Sequence, residues 1–186
     1  MPATKPLKDR EEKRQELIAA ASRLFIEDGY EATSMAKLAD AAGVSGNTIY
    51  WYFADKDDVF IAVLDAVMED AWADYQDVVE RPLEERLLWV VRQLRTMHRL
   101  VTTLHARIGR SPALNTWHDN FHEMAEGLWR STLEQAGATG VSLDAEVKIG
   151  VFAIEGLLTH ELDEQQQQAI CRGLAKRWTL TNDDTA

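Results

Sequence analysis

The chain has 186 residues, enough for one compact body or a small head joined to a larger one. Its 31 acidic against 20 basic side chains, a formal net charge of −11, exclude non-specific polyanion binding over the whole surface, so any nucleic-acid contact has to be local. Cys171 is the single cysteine, which excludes an internal disulfide, and neither a signal peptide nor an apolar run of membrane-spanning length is found; the expectation is a cytoplasmic protein with no membrane partner.

Residues 1–9 mix Pro, Lys and small residues without periodicity and read as a flexible, weakly basic arm. From about Arg10, Leu17, Ile18, Ala21, Leu24 and Phe25 recur at helical spacing up to Gly29, which suits the position after a helix end. Thr33 or Ser34 can cap a short second helix bearing Met35, Leu38, Ala39 and Ala42, and Gly43 can supply the positive φ of a tight turn. A third helix is expected from Ser45 to about Phe53, and Asp55 with Asp58 forms a capping-box-like start for a fourth.

Short helix, glycine turn and short helix is the helix-turn-helix pattern, whose second helix enters the major groove of DNA. Tyr50, Trp51, Tyr52 and Phe53 are consecutive, so they surround their helix and cannot all face a core; Ile49 and Phe53 are the better core candidates. The outward rings are then DNA contacts. Small Gly46, Asn47 and Thr48 permit close approach to the groove floor, the Tyr hydroxyls can donate to phosphates, and the Trp ring can lie on thymine methyls or sugar.

The stretch "RQELIAAASRLFIEDGYEATSMAKLADAAGVSGNTIYWYFADKDDVF", residues 14–60, resembles the DNA-binding head of the TetR family of transcriptional regulators. Its most specific pieces are "LF…GY…T", "LADAAGVS" and "TIYWYFADKDDVF". The resemblance implies that Thr48, Tyr50 and Tyr52 touch the DNA backbone, that Trp51 lies at the bases, and that Lys56 sits on a phosphate. It places Ser45, Gly46 and Asn47 at the leading edge of the recognition helix, and Thr33 and Ser34 where the second helix meets the opposite strand. Two positions depart from the family: Gly46 stands where many members have a basic residue, and Ala36 where a base-reading arginine can stand. Residues 1–60 carry eight Lys and Arg against eleven Asp and Glu, a net of −3. The expected electrostatic contribution therefore falls to Lys37 and Lys56 beside the site, and to Lys5, Lys8, Arg10, Lys13 and Arg14.

The rest of the chain reads as helices with no strand signal. Val59, Phe60, Val63, Leu64, Val67, Met68, Ala71 and Trp72 make one long amphipathic helix. Arg81-Pro82 breaks the pattern, and Leu83, Leu87, Val90, Val91, Leu94, Met97, Val101 and Leu104 form one new stripe. Ser111-Pro112 starts another helix, ended by "AGATG" at residues 136–140. Two helices close the chain, from Ser142 to about Glu161 and from near Asp163, which with Gln166 resembles a capping box.

The expected architecture is all-α: arm 1–9, a three-helix head at 10–55, a larger helical body at 56–181 for effector binding and dimerisation, and a tail at 182–186. The helix from Ser142 is apolar over a wide arc and needs two partners. The resemblance implies a homodimer built on the last two helices, with Ile149, Phe152, Ala153, Gly156, Leu157, Ile170, Cys171 and Leu174 as candidate interface residues and Gly150 among the small residues allowing close approach. Two heads about one helical turn apart would read an inverted repeat in double-stranded DNA. The resemblance also implies a small-molecule effector, for which Leu94, His98, Val101, His105, Trp117, His118, Phe121 and His122 are candidate pocket residues. His118 and His122 share a helical face, but two histidines alone are a weak metal signal, and no metal or cofactor is expected. Glu155, an acid in an apolar helix, needs a partner: a Lys or Arg at the interface, or a cationic effector. No phosphate loop, activated nucleophile or di-iron carboxylate set points to an enzyme. The rival reading is a helix-turn-helix module that binds protein without specific DNA binding.

Overall fold

The computed structural model describes residues 7–135 and 141–179. Residues 1–6 of the expected arm, the helix end in "AGATG" and the tail lie outside them. The described residues form nine helices and no strand: α1 (Leu7–Glu27), α2 (Met35–Ala41), α3 (Gly46–Ile49), α4 (Lys56–Gln76), α5 (Leu83–Thr96), α6 (His98–Arg107), α7 (Pro112–Gln135), α8 (Val141–Thr159) and α9 (Glu164–Thr179). Helix α1 thus starts three residues before Arg10 and takes in part of the expected arm.

Helix ends follow the capping chemistry. Ser34 and Ser45 cap α2 and α3, their hydroxyls accepting from the amides of Lys37 and Thr48. Asp55 accepts from the amide of Asp58 (2.9 Å), and the Asp58 carboxylate accepts from that of Ala54 (2.8 Å). Asp163 and Gln166 bond each other's amides at 2.8 and 3.0 Å, a complete capping box. Gly29 (φ 87°) and Gly43 (φ 64°) take the left-handed conformation that ends α1 and makes the α2–α3 turn.

Two expected helices differ. The segment after Ser45 is α-helical only through Ile49; Trp51 and Tyr52 then bond the carbonyls three residues back, so residues 50–52 form a tighter turn. The stripe from Leu83 to Leu104 is not one helix but two, broken at Met97, where the Thr96 hydroxyl donates to the Gln93 carbonyl (2.7 Å).

The chain divides into two compact units: residues to Trp72 with Arg99–Trp117, and Ala73–His98 with the chain from His118 onward. The first has a core of Leu17, Ala21, Phe25, Tyr30, Leu38, Ile49, Phe53 and Phe60, with Leu100, Leu104 and Leu114 added from α6 and α7. Phe25, Tyr30 and Phe60 pack with ring centroids 5.4–5.5 Å apart. Each such side chain contributes about 1.5 to 3 kcal/mol by its burial. The second core joins Leu87, Val91, Leu133, Val147, Ile154, Leu157, Cys171, Leu174 and Trp178. Here the small residue Gly150 admits the Trp178 ring: a Cβ on Gly150 would lie 3.1 Å from Trp178 Cη2. The close approach expected of Gly150 between subunits is therefore made within the chain.

Candidate nucleic-acid interface

Ile49 and Phe53 are 1% and 2% exposed and anchor the recognition segment, while Trp51 is 77% and Tyr50 56% exposed. Ser45, Gly46 and Asn47 are exposed beside them. Ser45 Oγ and Thr48 Oγ1 lie 2.7 Å apart, so these hydroxyls are shared between themselves and the helix cap. Tyr52 is half-buried against the head core, with the Arg10 guanidinium 5.9 Å from its ring centre. Ser34 is exposed at the cap of α2. Thr33 is a correction: it is fully buried, its hydroxyl donates to the Gly29 carbonyl (2.8 Å) and its amide to Tyr30, so neither group is open to a phosphate.

Five described cations of the head, Arg10, Lys13, Arg14, Lys37 and Lys56, are already engaged. Lys37 pairs with Asp28 (2.9 Å). Lys13 donates to the Ala42 carbonyl at the end of α2 (3.0 Å) and pairs with Glu16, Arg10 reaches the Trp51 carbonyl (3.4 Å), and the Arg14 guanidinium lies over the Phe53 ring. The α1 cations thus brace α2 and the recognition segment, satisfying carbonyls at helix ends.

Lys56 donates to the Tyr30 carbonyl (2.9 Å) and lies 4.0 Å from the Tyr30 ring centre, whose ring also carries the Arg107 guanidinium at 4.6 Å. Arg107 pairs with Asp57 (Nε to Oδ1 2.8 Å; Nη2 donating to Oδ2 at 2.9 Å), and the Tyr30 hydroxyl donates to the same carboxylate. Burial alone would raise the Asp57 pKa; the hydrogen bonds from Arg107, Tyr30 and Ser111 outweigh it and hold the carboxyl below its ordinary range. Burial, then the bond to Asp57, pushes the Tyr30 phenol up. Sequence reading missed this group. Asp57 stands in an acidic run that signals only a helix start, and Arg107 comes from 50 residues away.

The candidate pocket residues are divided between the units: Val101, His105 and Trp117 fall in the first, and Leu94, His98, His118, Phe121 and His122 in the second. His118 and His122 converge, Nε2 to Nε2 3.1 Å, with Phe121 edge-on to His122. Within the chain Glu155 reaches His122 (3.6 Å). Leu94 packs on the second core, and Trp117 on the first, its indole donating to Asp65 (2.7 Å). Val101 is half-buried, and His98 and His105 are exposed. Of the candidate interface residues, Ile149, Phe152 and Ile170 are 38%, 64% and 37% exposed, with Ala153 and Gly156 half-buried on the Phe152 face. Leu157, Cys171 and Leu174 are 1%, 0% and 9% exposed, their side chains used inside the second core. Burial, with the Glu84 charge nearby, pushes the Cys171 thiol up to about 11.

A capped short helix, a glycine turn and a second capped helix that holds two aromatic rings outward define a helix-turn-helix protein. Residues 17–63 match the family of bacterial regulatory proteins named tetR. The chain is 39% identical over 74 residues to the HTH-type transcriptional regulator HbdR of Aromatoleum sp. (strain CIB), covering 40% of this chain and 31% of that one. It is 28% identical over 191 residues to the HTH-type transcriptional regulator SrpR of Pseudomonas putida, covering 96% of this chain and 89% of that one. In the first four curated relatives the matched stretch spans between 25% and 45% of their length. In fold it is similar to a TetR transcription regulator from Haloarcula marismortui, with a TM-score of 0.72, 19% identity, and coverage of 92% of this chain and 98% of that one. The head at residues 17–63 belongs to the TetR family of transcriptional regulators.

Proposed function

We propose that this chain is a cytoplasmic, homodimeric repressor that holds an inverted repeat in double-stranded DNA through α2 and α3 and releases it when a small molecule binds the second unit. One observation carries the reading: Trp51 and Tyr50 stand 77% and 56% exposed on a segment anchored by buried Ile49 and Phe53. Exposed amphipathic rings on a rigid scaffold are surface that a partner covers. No helix among the described residues is long and apolar enough to cross a membrane, so a bilayer-spanning role gives no competing account of the apolar residues.

The exposed residues Ile149, Phe152 and Ile170 on α8 and α9 support pairing with a second copy, which would set two heads for two half-sites. The polar groups of His118, His122 and Glu155, with the Phe121 ring edge-on to His122, support a site that would orient a small molecule. Release requires the effector to favour the conformation that does not bind DNA, typically by about 1 to 3 kcal/mol. The test is selection of bound duplexes from a randomised pool, with Trp51→Ala beside the wild type. An inverted repeat whose enrichment needs Trp51, from a variant that stays folded and dimeric, is the expected result. A folded dimer that enriches no motif would transfer the head to a protein-binding role, which its net charge of −3 would suit.

A further inference from the structure

We infer that the major-groove face of this head reads adenine and thymine, with Asn47 on an adenine and Trp51 on a thymine methyl, and carries no arginine or lysine contact to guanine. The inference rests on the DNA-binding reading above and specifies its ligand.

From Gly43 to Asp55 the chain has no Lys or Arg. The commonest specific contact in the major groove is an Arg or Lys on guanine N7 and O6. Among the described residues, the cations nearest this segment are engaged elsewhere. Arg10 and Lys13 bond backbone carbonyls at residues 51 and 42, Lys37 pairs with Asp28, and Lys56 is held at Tyr30. The hydroxyls of Ser45 and Thr48 are committed to each other and to the cap. Asn47 is exposed between them, one residue after Gly46, where a Cβ would meet nothing within 4 Å. With no side chain at Gly46 the backbone can come close to the base edges, bringing a short amide within reach.

An asparagine amide presents one donor and one acceptor side by side. Adenine presents the complement in the major groove, the N7 acceptor and the N6 donor, so both bonds form. Guanine presents two acceptors, and the amide oxygen would then face O6, lone pair against lone pair. Four residues on, the Trp51 ring offers a broad apolar face, 77% exposed. In the major groove the apolar feature of the bases is the thymine methyl. The exposed recognition surface therefore has a match for adenine and for thymine and none for guanine.

The full-length protein is used for selection from a randomised duplex pool, and affinities are then measured on the recovered sequence. An A·T position in each half-site is expected. Asn47→Ala should lose preference there by about 5- to 150-fold while keeping the rest of the motif, and Asn47→Arg should shift it toward guanine. Two substitutions in the DNA avoid any dependence on variant folding. Replacing the contacted adenine with 7-deazaadenine should weaken wild-type binding, and replacing thymine with deoxyuridine should weaken it about fourfold, the equivalent of one buried methyl. A recovered motif with guanine at the position Asn47 controls, or indifference to both base analogues, overturns the inference and leaves DNA binding standing. Absence of any motif from a folded dimer overturns the DNA-binding reading itself.

Discussion

Asp57 shows how one side chain ties a helix start to a distant helix. It follows Lys56 in the first turn of α4, and its carboxylate collects Arg107 and Tyr30. With 17% of that side chain exposed, the pair is screened less than a surface one. Asp57→Asn should destabilise the protein by about 1 to 3 kcal/mol at neutral pH, measured by urea denaturation. The pH dependence follows from the sign of the shift. A carboxyl whose folded pKa is depressed contributes stability that is complete above its unfolded value and is lost as pH falls through the folded one. The difference between wild type and Asp57→Asn should therefore be full above about pH 4 and shrink below it. Glu146, depressed by its hydrogen bonds from Arg177 and Trp178, adds to the same acid sensitivity. Equal acid profiles for the two proteins would remove Asp57 from this role.

At the scale of elements, the packing of α8 on α9 turns on Gly150. The Trp178 indole is 3% exposed, donates to Glu146 (2.9 Å) and leans on Trp129 with centroids 5.0 Å apart, so it has little room to yield. Gly150→Ala gains about 1 kcal/mol of helix propensity and incurs about 1 to 3 kcal/mol of overpacking. A net loss of up to about 2 kcal/mol is expected, whereas Gly127→Ala, with open space around its Cβ, should gain up to about 1 kcal/mol. Thermal denaturation of both variants decides; a stabilised Gly150→Ala would mean that the indole moves freely.

Much of this level was legible in the sequence, because caps and glycine turns are local chemistry: Ser34, Ser45, Asp55 and Asp163 begin helices where their side chains predict. The break at Met97 was not, since Leu94, Val101 and Leu104 keep helical spacing across it and no Pro or Gly interrupts them. Nor was the inward turn of Thr33, or the burial of Leu157, Cys171 and Leu174, since one apolar stripe serves a core and an interface equally well. Glu155 announced that it needed a partner, but spacing along the chain could not name His122.

At the scale of the molecule, Phe152 is, among the described residues, the apolar side chain of α8 most exposed to solvent. If α8 faces a second copy as proposed, Phe152→Glu should weaken dimerisation by about a hundredfold or more, roughly 3 kcal/mol, because the subunit contact would bury its charge. Light scattering should then show monomers with helical circular dichroism retained, and operator affinity should fall in parallel. A dimer undisturbed by this change would place the contact elsewhere.

The core of the first unit also bears on how such a protein can be taken apart and recombined. Leu100, Leu104 and Leu114 complete it from residues beyond 98, Arg99 donates to the carbonyls of Ile26 and Glu27 at the end of α1, and Arg107 holds Asp57. A hybrid regulator made by grafting residues 1–72 onto a foreign body would leave these groups behind, with a hydrophobic gap in the first core and two bare carbonyls at a helix end. The transplantable cassette is discontinuous: it consists of residues up to 72 together with 99–117, and a working exchange has to carry both.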